Sequence, residues 1–86
     1  MNVVQLTEVN AKLSDFDLFW EIYPKRKAKL DALKAWGQTA KIRPSIEELL
    51  AAIRQQEQSP EWQKDGGAYV PHPATWLRQG RWMDED

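Results

Sequence analysis

With 86 residues, 42% of them hydrophobic, and a formal net charge of −1, the chain can build one small core. That balance excludes global disorder and a strongly basic nucleic-acid binder. No cysteine is present, which removes disulfides, thiol nucleophiles and thiolate metal sites and suits a reducing compartment. The opening MNVVQLTEVN lacks the basic start and long apolar run of a signal peptide, and no apolar run reaches the length of a membrane span. A cytoplasmic protein with no membrane association is expected.

Residues 1–13 alternate weakly and have no partner strand nearby in sequence, so they are expected to form a flexible or partner-dependent arm. The folded domain is expected over 14–83, followed by an acidic tail at 84–86. SDFDLFWEIYP predicts a first helix, capped by Ser14 or Asp15 and ended by Pro24. On it Phe16, Phe19, Trp20 and Tyr23 recur at helical spacing and should share one core face. A second helix is predicted over 25–41, KRKAKLDALKAWGQTAK, with a stripe of Ala28, Ala32, Ala35 and Trp36. Gly37 either weakens its end or permits a close crossing.

The third helix is the clearest, over 46–58: Ser45 and Glu48 form a capping box, and Ile46, Leu49, Leu50 and Ile53 form the apolar stripe. Ser59 and Pro60 then start a short helical turn that carries Trp62 and is broken at Gly66 and Gly67. AYVPHP must be extended because each proline pushes its predecessor out of helical geometry. Pro73 opens a last short helix, stopped by Gly80. The expected fold is therefore all-α, a small single-domain bundle of three main helices plus short helical turns. Its extended Pro-His-Pro segment should pack back on the core.

Candidate chemistry is sparse. His72 is the only histidine, with no second histidine or cysteine to complete a metal site or a nucleophile–base pair, so it is read as structural. Tyr69, Pro71, His72, Pro73 and Trp76 are expected to act as a clamp. The prolines should place Trp76 and Leu77 against Phe16, Phe19 and Trp20 while His72 hydrogen-bonds the backbone at the crossing. DGGAY lacks the spacing and the Lys-Ser/Thr of a phosphate loop. Glu47 and Glu48 are explained by their place at a helix start. No enzyme, cofactor or metal site is expected.

The functional candidate is the basic run PKRKAKLDALK. Its cations can neutralise nucleic-acid phosphates, dock on an acidic protein surface, or simply solvate a helix face. Lys25, Arg26, Lys27, Lys29 and Lys34, within a basic segment over 25–43, together with Arg78 beyond it, are the residues expected to touch a partner or DNA. Trp62, Trp76 and Trp82 lie on short segments, which leaves one of them a candidate for exposure and base stacking.

The stretches FDLFWEIYPKRKAK, ALKAWGQ and EWQKDGGAYVPHPATWLRQGRW together resemble a C-terminal module of phage and prophage replication proteins. The resemblance covers about residues 16 to 84. It is carried by Phe16, Phe19, Trp20, Tyr23, Pro24 and Trp36, and in the tail by Trp62, Gly67, Tyr69, Pro71, His72, Pro73, Trp76, Leu77 and Trp82. Val70 stands where the pattern has isoleucine. The larger members resemble replisome organisers, with a winged-helix DNA-binding domain ahead of this module. What the resemblance implies is a role in DNA replication through the host replicative helicase or its loader, or through DNA itself. Since this chain starts at its own Met1 without a winged helix, it is expected to serve as a free-standing, non-enzymatic docking module. The alternatives are a DNA-binding accessory protein and a small phage inhibitor of a host machine.

Overall fold

The computed structural model describes residues 14–84, and over these residues the chain is all-α, with no strand. The arm expected at 1–13 and the last two residues of the acidic tail lie outside the described residues. In chain order the elements are α1 (Asp15–Ile22), α2 (Lys29–Gln38), α3 (Ile46–Glu57), α4 (Pro60–Gln63) and α5 (Pro73–Arg78). Two 3₁₀ turns, Lys64–Gly67 and Arg81–Met83, follow α4 and α5.

Ser14 is the cap of α1; its hydroxyl accepts from the Asp17 amide at 3.1 Å. Tyr23, ahead of Pro24, is already extended (φ −66°, ψ 127°) and ends the helix. The second helix is shorter than its sequence suggests. Lys25 to Ala28 are not helical, and α2 begins only at Lys29 behind a left-handed Ala28 (φ 55°). The physical reason is electrostatic: in a longer helix Lys25, Arg26 and Lys27 would join Lys29 at the positive end of the dipole. Ala28 therefore leaves the stripe and is exposed, while Ala32 and Ala35 are completely buried. Among the described residues no element crosses close at Gly37, where a Cβ built on the backbone would meet nothing within 4 Å.

At its other end α2 is closed by two side chains. The Thr39 hydroxyl donates to the Ala35 carbonyl at 2.8 Å, and Arg43 Nη2 donates to the Trp36 carbonyl at 3.1 Å. The Arg43 guanidinium also lies 3.4 Å from the Trp36 ring centroid, a cation–π contact. A cation at a helix C-terminus meets the negative end of the dipole. In α3 the Glu48 amide donates to the Ser45 hydroxyl at 3.2 Å, and that hydroxyl returns to Glu48 Oε1 at 3.3 Å. Ser59 and Pro60 start α4 as expected.

The core is a chain of aromatic rings. Phe19 lies 5.4 Å from Trp36 and 6.0 Å from Trp76; Tyr23 lies 5.9 Å from Trp76 and 5.8 Å from Trp62; Trp82 lies 5.9 Å from Trp76, all centroid to centroid. Leu49 and Ile53 of α3 and Leu77 of α5 complete it. Trp20 is the exception on α1: it is half-buried and stacks on Phe16 rather than meeting Trp76. None of Trp62, Trp76 and Trp82 stands out in solvent, since the first two are buried and the third is packed against the core.

Candidate functional site

Three of the five expected clamp residues do hold the tail to the core. Pro73, fully buried, occupies the first position of α5, and Trp76 is 0% exposed. The Pro71 carbonyl accepts a 2.7 Å hydrogen bond from the Tyr23 hydroxyl. Burial pushes that hydroxyl far above its ordinary titration range, and the nearby Arg81 charge offsets only part of this. His72 and Tyr69 do not clamp. His72 is exposed at the N-cap of α5, and its imidazole makes no cap bond; only its carbonyl is used, accepting from the Trp76 amide at 3.0 Å. The preceding Pro71 and following Pro73 hold its backbone extended, which turns the ring outward. Tyr69 is 55% exposed, with Lys64 Nζ 5.5 Å from its ring centroid.

Tyr23 and Gln56 supply what His72 was expected to supply. Trp76 Nε1 donates to Gln56 Oε1 at 2.9 Å, and Gln56 Nε2 donates to the Arg81 carbonyl at 2.7 Å. One buried amide thus ties α3, α5 and the last turn together. The signal was available: Gln56 falls three residues after Ile53, where the apolar stripe of α3 continues. A polar residue at a core position needs partners.

The basic candidates separate into two groups. Arg78 is taken up by partners within the chain, at the surface. Its Nε donates to Gln38 Oε1 at 2.8 Å, and its two terminal nitrogens fork onto Asp31 at 3.2 and 3.4 Å. It is a strut between α2 and α5 rather than a partner contact, because a guanidinium so committed offers little to a partner. Arg43 is spent likewise on Trp36, and burial lowers its pKa.

The second group lies along residues 25–34. Lys25 is half-buried and its Nζ reaches the Ala68 carbonyl at 3.3 Å. Arg26 approaches Glu21 only to 4.0 Å, with both side chains more than half exposed, a pair worth little in water. Lys27 and Lys34 are exposed and form no ion pair among the described residues. Lys29 rests 5.6 Å from the Trp20 ring centroid. Lys25, Arg26 and Lys27 line an open groove of about 530 Å³ together with Trp62, Val70 and the acid Glu57. Asp31 is the only acid between Lys25 and Lys34, and Arg78 occupies it.

Among the described residues, no three His, Cys, Asp or Glu side chains gather as a metal site requires, and no helix is long and apolar enough to cross a membrane. These features define a small all-α domain with an inward-tied tail and one cationic edge. The chain belongs to the family of the Legionella vir region protein LvrA C-terminal domain, whose family model matches residues 11–80. No curated protein and no solved structure matches the chain significantly.

Proposed function

We propose that this domain is a non-enzymatic binding module that docks through residues 25–34 onto an acidic surface of a protein of the DNA replication machinery, in the cytoplasm of a bacterial host. One observation carries the docking: Arg78 ties up Asp31, the only acid of that stretch, while Arg26, Lys27, Lys29 and Lys34 remain exposed. A cationic edge of this kind steers an acidic partner and fixes its orientation. The replication setting, with a replicative helicase or its loader as partner, rests on the motif resemblance; the family name speaks of the Legionella vir region instead. Such docking serves an adaptor and an inhibitor of the host machine equally well.

The test is binding to purified helicase and loader. Arg26→Glu with Lys29→Glu should weaken the complex at least about tenfold while the melting temperature is unchanged. The groove beside Lys25, Arg26 and Lys27 favours a second reading, phosphate contact with DNA. It predicts an affinity that falls steeply with salt, about one power of salt concentration per phosphate neutralised. The buried positions of Trp62 and Trp76 leave those rings nothing to stack on a base. A gel-shift titration that stays flat at low salt removes the DNA reading; a steep salt-dependent shift replaces the protein reading with it.

A further inference from the structure

On the side of α2 turned away from the core, Leu30, Leu33 and Gly37 fall at i, i+3 and i+7, so they share one face. Leu30 is 67% exposed and Leu33 45%, while Ala32 and Ala35 on the opposite side are completely buried. Above Gly37 the space is open, since an added Cβ would meet nothing within 4 Å. An exposed leucine by itself needs no explanation. Two on one face, followed by a glycine that lets another backbone come close, make a ridge and a notch that suit a crossing helix.

The charge around this face has one sign. Lys27, Lys29, Lys34 and Lys41 are exposed on or beside α2, and its one acid is held by Arg78. We propose that this face receives an amphipathic helix of a partner protein, with an apolar stripe that covers Leu30 and Leu33 and acidic side chains that flank the stripe. The inference rests on the protein-docking function above and names the chemistry of the partner. Charge complementarity selects this occupant. A second copy of the chain docked face to face would bring the same lysines together, and like charges across an interface are repelled. A nucleic acid would answer the lysines but leave both leucines in water.

The experiment titrates the ¹⁵N-labelled full chain with a synthetic helical peptide that carries leucine at i, i+3, i+4 and i+7 and glutamate on both flanks. Two control peptides accompany it: one with the same composition scrambled so that the leucines no longer share a face, the other with lysine in place of glutamate. The acidic amphipathic peptide should bind saturably and shift the amide resonances of residues 30–37, with both controls at least about tenfold weaker. Leu30→Ser with Leu33→Ser should raise its Kd at least about tenfold while the domain still melts cooperatively at a modestly lower temperature, because Leu30 is 67% and Leu33 45% exposed in the free protein and serine is the weaker helix former.

Resonance shifts confined to other residues, equal binding of the scrambled peptide, or an unaffected double serine variant would each overturn the proposal. So would a concentration-dependent dimer in sedimentation that the double serine variant abolishes, since a second copy would then cover the face. If the peptide fails while Arg26→Glu with Lys29→Glu still breaks the helicase complex, this face is wrong and the docking function stands. If the peptide binds as expected and no replication protein does, the face stands and the replication partner falls.

Discussion

In the arm from Pro71 to Trp82 most polar groups with distant partners tie the tail to the rest of the domain, two in the core and Arg78 at its surface. The Pro71 carbonyl meets Tyr23, the Trp76 indole meets Gln56, and Arg78 crosses to Asp31 and Gln38. Along Pro24 to Lys34 the reverse holds. Arg26, Lys27, Lys29 and Lys34 point to water, and the backbone from Lys25 to Ala28 is not helical. Both stretches are rich in conspicuous residues, yet they differ in kind. Groups satisfied inside the molecule specify its fold; groups left exposed with one sign of charge are available to something else. The resemblance to a replication module drew most heavily on the first stretch, while the second carries the surface.

The comparison breaks most visibly at Trp76. Trp76→Ala removes a fully buried ring that touches Phe19, Tyr23 and Trp82. A buried Trp→Ala change costs about 3–5 kcal/mol, close to the whole stability of a core this small. The variant should be largely unfolded at 25 °C by far-UV circular dichroism. A native-like spectrum with a cooperative urea transition would show that the tail is dispensable. Gln56→Leu comes next. It leaves the Trp76 indole N–H and the Arg81 carbonyl without their partner, at a cost of about 2 kcal/mol. Urea denaturation should show a lower midpoint with an unchanged slope.

Most of the helices were legible in the sequence because their signals are local. Ser14, Ser45 and Ser59 each mark a helix start, and the structure places a cap hydrogen bond at each. The stripe on α3 and the aromatic face of α1 follow from spacing alone. What was not legible depends on distant partners or on competition between effects. The start of α2 at Lys29 is not legible, because the apolar spacing continues back to Ala28 and the dipole penalty for the cations at 25–27 does not show in a periodicity. The sequence around Arg78 leaves it a free cation, because nothing nearby announces Asp31, 47 residues away. His72 drew attention as the lone histidine between two prolines, but the tail is held by Tyr23, 48 residues from Pro71. For the basic edge, sequence supplied the residues and the structure supplied their separation into committed and exposed cations.

Tyr23→Phe tests the inward half at intermediate size. It deletes the hydroxyl that donates to the Pro71 carbonyl and should cost about 1 kcal/mol at neutral pH. The pH dependence has a definite sign. Burial raises the folded pKa of Tyr23 above its unfolded value of about 10, so the folded state holds the proton that the unfolded state releases. The stability tied to this group is therefore complete below about pH 10 and falls as the pH rises through the range between the two values. The alkaline fall in the urea midpoint should be shallower in Tyr23→Phe than in the parent protein. Lysines titrate in both and cancel in the difference. Parallel alkaline curves would remove Tyr23 from the set of groups that hold the tail.

The smallest expected effect falls on the most conspicuous residue. His72 sits at the N-cap of α5 with its backbone already extended (φ −61°, ψ 149°), and its carbonyl makes the first helical bond, to the Trp76 amide. Both features are properties of the main chain, and Pro73 maintains them whatever the side chain is. The imidazole makes no cap bond and is exposed, so His72→Ala should change stability by no more than about 0.5 kcal/mol. An N-cap position without a side-chain acceptor can also be improved. His72→Ser supplies a hydroxyl to the first turn, as Ser59 does ahead of Pro60, and should stabilise the domain by about 0.5–1 kcal/mol. Calorimetry on the two variants gives a sharp contrast: a melting temperature nearly unchanged in one and raised in the other. A loss of several degrees in His72→Ala would return the residue to the inward set and move the boundary between the two halves of the molecule.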